Sequence, residues 1–102
     1  MITAIDKRDT AIIAALDGLY ISWRSALHAR KDALKAAWAM SNPKEARRAI
    51  NTAWQHFRKA RKGANETYRK AKKAAWDQFR KDQKACKVND ASELVNQFLD
   101  ND

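Results

Sequence analysis

Residues 53–85 consist of three consecutive copies of one 11-residue repeat: AWQHFRKARKG (53–63), ANETYRKAKKA (64–74) and AWDQFRKDQKA (75–85). Each copy begins with alanine, has an aromatic residue followed by Arg-Lys at positions five to seven, and has lysine at position ten. Eleven residues make about three α-helical turns, so each position returns to nearly the same face of a helix. The repeat therefore predicts one long helix with an apolar stripe, an aromatic edge and a continuous basic face.

Apolar residues follow the same 11-residue spacing in the first part of the chain, although the sequence itself does not repeat there. One apolar row consists of Ile5, Leu16, Leu27 and Trp38, and a second consists of Ile12, Trp23 and Leu34. Asn42 and Pro43 then mark the start of a second helix. Asn suits the N-cap of a helix and Pro suits its first position. The sequence thus predicts a helix over about 3–40, a turn at 41–43 and a helix over about 43–86.

A tight break between two long helices predicts an antiparallel hairpin. When the numbers of paired residues sum to about 84, the first apolar row faces the aromatic row of the repeat. The pairs are Leu27 with Phe57, Leu16 with Tyr68, and Ile5 with Phe79. The expected fold class is all-α: a single domain, residues 1–102, forming a long helical hairpin with a coiled-coil-like hendecad period. A period of about 3.67 favours a straight or slightly right-handed supercoil.

Gly63 leaves one alternative to this fold open. It occupies the position that Ala74 and Ala85 hold in the later copies, and glycine weakens a helix interior by about 1 kcal/mol relative to alanine. Gly63 therefore either allows a close backbone approach or breaks the second helix, which would give a compact three-helix bundle. We favour the long hairpin because the 11-residue phase continues unshifted through Gly63.

A separate short helix is expected at the C-terminal end of the chain. Asp90 and Glu93 have the spacing of a helix cap, so we predict an acidic amphipathic helix over about 91–100. Its apolar face consists of Leu94, Val95, Phe98 and Leu99. This helix would either fold back over apolar residues of the hairpin or contribute to self-association.

Charge is distributed unevenly along the chain. The formal net charge is +9; residues 43–87 contain 15 basic and 4 acidic side chains, whereas residues 88–102 contain 4 acidic side chains and no basic one. Such segregation indicates a polyanionic partner for the middle of the chain. The alternative is that the basic residues only keep an exposed helix soluble.

The basic residues of the repeat fall on one side of the second helix. We call this set the basic ridge; it consists of Arg47, Arg58, Lys59, Lys62, Arg69, Lys70, Lys73, Arg80, Lys81 and Lys84. One repeat advances about 16.5 Å along a helix, so successive clusters could contact separate phosphates. Repeated Arg and Lys, with Asn and Gln sparse on this ridge, favour phosphates over base edges. The ridge therefore predicts binding to nucleic acid, or another polyanion, without sequence preference.

Several apolar residues fall outside the predicted seam. Trp54 and Trp76 lie beside the ridge, where they either pack in the hairpin or stack on unpaired bases. Ile13, Tyr20 and Ile21 lie off the main stripe of the first helix and are candidates for self-association. Membrane-surface binding is not expected, because the apolar stripe is needed for the hairpin. The sequence also contains no apolar run long enough for a transmembrane helix.

No pattern in the sequence indicates catalysis. Two histidines, His28 and His56, lack the cysteines or carboxylates of a metal site, so neither a metal nor a cofactor is expected. The single Cys86 excludes an intramolecular disulfide; it is either a packing residue at the end of an alanine column or a link between two chains. We therefore expect a non-enzymatic protein. The remaining alternative is a purely structural subunit of an oligomer or filament.

Four segments give the chain a likeness to a known group of proteins. They are Lys-Arg-Asp-Thr-Ala (7–11), Ala-Leu-Lys-Ala-Ala-Trp (33–38), Ala-Trp-x-x-Phe-Arg-Lys (53–59) and Ala-Ala-Trp-Asp-Gln-Phe-Arg-Lys (74–81). Over about residues 5–87 the chain resembles Ala/Arg-rich helical proteins exported by small-genome bacteria. The resemblance implies an exported protein whose signal peptide has been removed, and it assigns no activity or site residue. The residues by themselves leave the compartment open.

Overall fold

The protein is an all-α helical hairpin in the computed structural model, which describes the backbone of residues 1–101 and the side chains of residues 1–86. Helix α1 spans Ile2–Trp38 and helix α2 spans Pro43–Asn101. The predicted pair of long helices is therefore confirmed. The chain divides into two compact units: Ala15–Lys70, called the turn unit, and Met1–Ala14 with Ala71–Asp102, called the terminal unit.

Asn42 caps the N-terminus of α2 at the turn between the helices, as the sequence predicts. The Asn42 side-chain oxygen accepts hydrogen bonds from the backbone N–H groups of Lys44 and Glu45, at 2.9 and 3.2 Å. These bonds satisfy two of the donors that the first turn of a helix leaves without a partner. Pro43 is the first residue of α2, where a missing N–H costs nothing. Local chemistry thus sets both the position and the sharpness of the turn.

Helix α2 continues through Gly63, so the three-helix alternative is wrong. Gly63 lies in the interior of α2, and a Cβ atom built on it meets no other atom within 4 Å. A close backbone approach therefore does not explain this glycine either. The helix survives it because one glycine costs only about 1 kcal/mol, and the packing of the neighbouring repeats exceeds that cost.

Helix α2 also continues past the predicted C-terminal cap. It includes Asp90 and Glu93 and ends at Asn101, so the segment 91–100 is the last part of α2 and not a separate helix. No glycine or proline follows Gly63 in the sequence, so a strong stop signal is missing there. The side chains predicted to form an apolar face, Leu94, Val95, Phe98 and Leu99, lie outside the described residues.

The α1 side of the seam consists of small residues. Ala26 and Ala37 are buried in the turn unit, at 8 and 0% exposure, and Ala4 is buried in the terminal unit at 6%. Each directly precedes a member of the apolar row predicted for the seam. That row is exposed by 40–76%: Ile5, Leu16, Leu27 and Trp38. The predicted pairing of these residues with the aromatic row is therefore wrong by one residue along α1.

The α2 side of the seam explains why alanine is required opposite it. Phe57 and Ala53 are buried in the turn unit, and Phe79 and Ala75 are buried in the terminal unit, at 4–8% exposure. Two helices with large residues at the same level would be held apart, so bulky rings on α2 need small residues on α1. The repeat thus encodes the α2 side of the seam as predicted.

Candidate polyanion interface

An arginine from α1 and two aromatic rings from α2 form a cluster in the turn unit. The Arg30 guanidinium carbon lies 4.8 Å from the ring centroid of Trp54 and 4.4 Å from that of Phe57. The two rings meet edge to face at 6.1 Å with an interplanar angle of 87°. Both the cation–ring and the ring–ring geometries are attractive, because the negative ring face meets a cation or a positive ring edge. The cluster therefore joins α1 to α2 in the turn unit.

The terminal unit contains the same cluster 22 residues away in each helix. Arg8 lies 4.6 Å from the Trp76 centroid and 4.3 Å from the Phe79 centroid, and these rings also meet edge to face, at 5.7 Å. The Arg8 side chain also donates a 2.8 Å hydrogen bond to Asp9. That hydrogen bond and the nearby positive charge lower the pKa of the Asp9 carboxyl below its ordinary value of 3.8.

The copy of the repeat between those that contain Trp54 and Trp76 makes a different contact with α1. In the turn unit, the Trp23 indole N–H donates a 3.0 Å hydrogen bond to the Asn65 side-chain oxygen. Asn65 occupies the position in the repeat that Trp54 and Trp76 hold in the other copies. Arg61 lies 5.9 Å from the Trp23 ring. The polar end of the indole therefore has a partner, which allows Trp23 to be half-buried at the seam.

The sequence interpretation missed Arg8 and Arg30 as seam residues, because it treated charged residues as exposed. A signal was present: Arg8 and Arg30 are 22 residues apart, as are Trp54 and Trp76. Arginine can be half-buried because its planar guanidinium stacks on rings and its apolar stem packs against them. A cation of one helix and a ring of the other that each recur every 22 residues are therefore candidates for a contact.

The ridge residues of the turn unit are all exposed, as expected from their spacing. They are Arg47, Arg58, Lys59, Lys62, Arg69 and Lys70. Among the side chains that the structure describes, none of the six forms an ion pair with a carboxylate. Buried Phe57 lies on a different side of α2, so the hairpin seam does not use these cations. Their positive charge is therefore available to a partner.

The ridge residues of the terminal unit are exposed as well, but an acidic side chain reaches two of them. They are Lys73, Arg80, Lys81 and Lys84. The Asp77 carboxylate lies 3.7 Å from the Lys73 ammonium and accepts a 2.9 Å hydrogen bond from Arg80. Such exposed pairs contribute little to stability, about 0–1 kcal/mol. Asp77 does, however, reduce the local positive charge beside Lys73 and Arg80.

Trp54 and Trp76 contact arginines of α1, which leaves less of each indole available for base stacking. Trp54 is 38% exposed and Trp76 is half-buried. The guanidinium of Arg30 or Arg8 covers one face of each indole. A base would therefore have to use the other face or displace the arginine.

The other candidate residues lie on both helices. Ile13, Tyr20 and Ile21 are exposed by 58, 66 and 65%, as expected for residues outside the seam. His28 and His56 are both exposed, and Cys86 is half-buried with a free thiol. Within the described residues, no three His, Cys, Asp or Glu side chains are close enough to hold a metal ion. Within the same residues, neither helix has the length and hydropathy needed to cross a membrane.

Each unit also contains a shallow, alanine-rich depression between its helices. One such depression in the turn unit has a volume of about 170 Å³ and is lined by Ala26, Ala33, Ala53 and Phe57, among others. The one in the terminal unit measures about 370 Å³ and has Ala4, Ala11, Ala75 and Phe79 in the corresponding places. Both follow from the small residues of the seam.

Comparison with known proteins gives no relative from which a function could be transferred. No protein-family model, no curated protein and no solved structure matches this chain significantly.

Proposed function

We propose that the protein is a non-enzymatic, self-associating helical scaffold that binds a polyanion, and that this polyanion is nucleic acid bound without sequence preference. The observation that carries the proposal is the ridge of the turn unit. Its six exposed cations form no ion pair among the described side chains, while the seam is held by other residues. The fold thus presents positive charge that its own packing does not use.

The spacing of the ridge suits a phosphate backbone. Arg58 and Arg69 occupy the same position in successive repeats, about 16.5 Å apart along α2. Each cation that neutralises a phosphate releases a condensed counterion, so binding gains free energy at low salt and loses it at high salt. A straight helix with regularly spaced cations can therefore bind a strand of many phosphates through several weak contacts.

The absence of sequence preference follows from the chemistry of the ridge residues. Lysine and arginine contact phosphates in any sequence, whereas base recognition in a groove needs bidentate Arg, Asn or Gln contacts at defined positions. Lys and Arg predominate on this face of α2, and Asn and Gln are sparse there. We therefore expect similar affinities for unrelated sequences of equal length.

A pair of matched variants tests the proposal. Arg58→Gln with Lys62→Gln removes two ridge cations of the turn unit, and Lys31→Gln with Lys35→Gln removes two exposed cations of α1. Both variants lose the same charge. In a fluorescence polarisation titration with a labelled 20-mer DNA at low salt, we expect the ridge variant to lose roughly tenfold in affinity and the control to lose much less. Equal losses would mean that net charge alone, and not the ridge, determines binding.

The exposed apolar residues of α1 favour a second candidate function. Tyr20, Leu27 and Trp38 are 66, 41 and 76% exposed, and their spacing places them on one face of α1. They fit a structural subunit of an oligomer or filament whose charges serve solubility and subunit contact. A chain that assembles but fails to bind DNA at low salt would support this second function and exclude the first.

A further inference from the structure

Pairs of adjacent cations recur every 11 residues along the same side of α2 in the turn unit. We call them the cation pairs; they are Arg47 with Arg48, Arg58 with Lys59, and Arg69 with Lys70. All six side chains are exposed, and among the described side chains none of them forms an ion pair. Arg48 lies outside the ridge that the sequence predicts, but it holds the same position in the period as Lys59. Each pair therefore presents two cations to a partner on this side of α2.

The first and third pairs are separated by about one turn of duplex DNA. Arg47 and Arg69 are 22 residues apart, which is about 33 Å along a helix that rises about 1.5 Å per residue. One turn of B-form DNA is about 34 Å long. A line along the outside of a duplex, parallel to its axis, meets one strand once in every turn and the other strand once in between. A helix on that line brings the first and third pairs to one strand and the middle pair to the other.

We propose that the polyanion bound by the ridge is duplex DNA, with the turn-unit part of α2 lying along the outside of the duplex and the three cation pairs on alternate strands. This inference rests on the proposed function and names the form of nucleic acid that it takes. The contacts are to phosphates, so they need no particular base sequence.

The aromatic residues of the turn unit favour a duplex over a single strand. Proteins that bind single strands without sequence preference stack successive bases on aromatic side chains. Beside the cation pairs, Phe57 is buried and Tyr68 is half-buried. Arg30 covers one face of Trp54. A single strand would therefore be held mainly by its phosphates, and it carries one charge per about 3.4 Å, whereas a duplex carries one per about 1.7 Å.

The segment that carries the cation pairs is strongly basic. Residues 47–70 contain eight basic side chains and one acidic side chain, Glu66. A shallow polar depression of about 450 Å³ lies beside the first pair, with Lys44, Asn51 and Gln55 in its lining. Lys44 adds a further cation there, and the amide N–H groups of Asn51 and Gln55 can donate hydrogen bonds to phosphate oxygens. The first pair thus lies in a surface suited to a phosphate backbone.

Binding to a duplex and to its separate strands tests the form of nucleic acid. The full chain is titrated by fluorescence polarisation at one low salt concentration, with a labelled 16-base-pair DNA duplex and with each of its strands alone. We expect binding to the duplex to be roughly tenfold tighter, because the cations meet a higher charge density. Single strands that bind as tightly as the duplex would overturn this inference and leave the proposed function standing. No binding to any of the three would contradict both.

Two duplex lengths test the match in spacing. A duplex of 8 base pairs is shorter than one turn, so it can contact neighbouring pairs but not the first and third together. Arg47→Gln with Arg48→Gln removes the first pair. We expect this variant to bind the 16-base-pair duplex roughly tenfold more weakly, but the shorter duplex only about twofold more weakly, because the second and third pairs still serve it.

The control for this experiment is Lys31→Gln with Lys35→Gln, which removes the same charge from exposed positions of α1. It should weaken binding of both duplexes by no more than about twofold. If the first-pair variant weakened both duplexes equally, the match with the DNA turn would be overturned. Equal losses from the first-pair variant and the control on the longer duplex would overturn the assignment of the first pair as a DNA contact.

Discussion

The contact of Arg30 with Trp54 is predicted to stabilise the hairpin measurably. The Arg30 guanidinium carbon is 4.8 Å from the Trp54 centroid and 4.4 Å from that of Phe57. Arg30 is half-buried and Trp54 is 38% exposed. Since such contacts contribute about 0.5–1 kcal/mol when exposed and about 2 kcal/mol when desolvated, we expect a coupling between the two side chains of about 1 kcal/mol.

A double-mutant cycle isolates this coupling from other effects of the substitutions. The free energy of unfolding is measured by urea denaturation, followed by circular dichroism, for the wild type, Arg30→Ala, Trp54→Ala and the double variant. All samples have the same protein concentration, because dimerisation would add to apparent stability. Arg30→Ala alone should cost about 2 kcal/mol, because it loses two ring contacts and the packing of its stem.

Arg58→Ala is the control for this cycle. Arg58 is exposed on the ridge, so its replacement should change the free energy of unfolding by no more than about 0.5 kcal/mol. Arg30→Lys should fall between, because lysine keeps the charge but lacks the planar group that stacks on rings. A coupling near zero, or equal effects of Arg30→Ala and Arg58→Ala, would refute the assignment of Arg30 as a seam residue.

Three further outcomes are expected. Gly63→Ala should raise the free energy of unfolding by about 1 kcal/mol, because the new methyl group meets nothing within 4 Å; a lower urea midpoint would contradict this. Asp77→Ala should strengthen DNA binding roughly threefold by freeing the two ridge cations that it contacts, and an unchanged affinity in the polarisation assay would show that they do not bind DNA. The Asp9 pKa should lie below 3.8 in the folded protein and rise towards that value in Arg8→Ala. Because the folded-state pKa is the lower one, the contact stabilises above pH 3.8 and its contribution disappears as the pH falls through the folded-state pKa; an NMR titration of Asp9 in both proteins measures it.

The sequence was sufficient to predict the two long helices, though not where α2 ends, together with the turn and the side of α2 that packs. The 11-residue repeat placed Phe57 and Phe79 in the seam, and Asn42 placed the turn, because periodicity and capping are local properties. The exposure of the ridge was predictable for the same reason. These features can be predicted from one helix without knowing which residues of the other helix pack against it.

The α1 side of the seam was not predictable from hydrophobicity alone. The larger row, with Leu16 and Leu27, looked like the core, but the helices pack through Ala26 and Ala37. Which row packs depends on the shape of the facing helix, whose rings fill the space that leucine would need. The role of Arg30 depends in the same way on Trp54. Both are properties of a pair of helices, so neither helix reveals them by itself.

The salt dependence of DNA binding tests the central claim most directly. Fluorescence polarisation with a labelled single-stranded 20-mer, repeated at increasing salt concentrations, gives the slope of log affinity against log salt. If the six ridge cations of the turn unit each neutralise one phosphate, the slope should be roughly −4, with little difference between unrelated sequences. No binding at the lowest salt concentration, or an affinity that salt does not change, would contradict the proposal that the ridge binds nucleic acid.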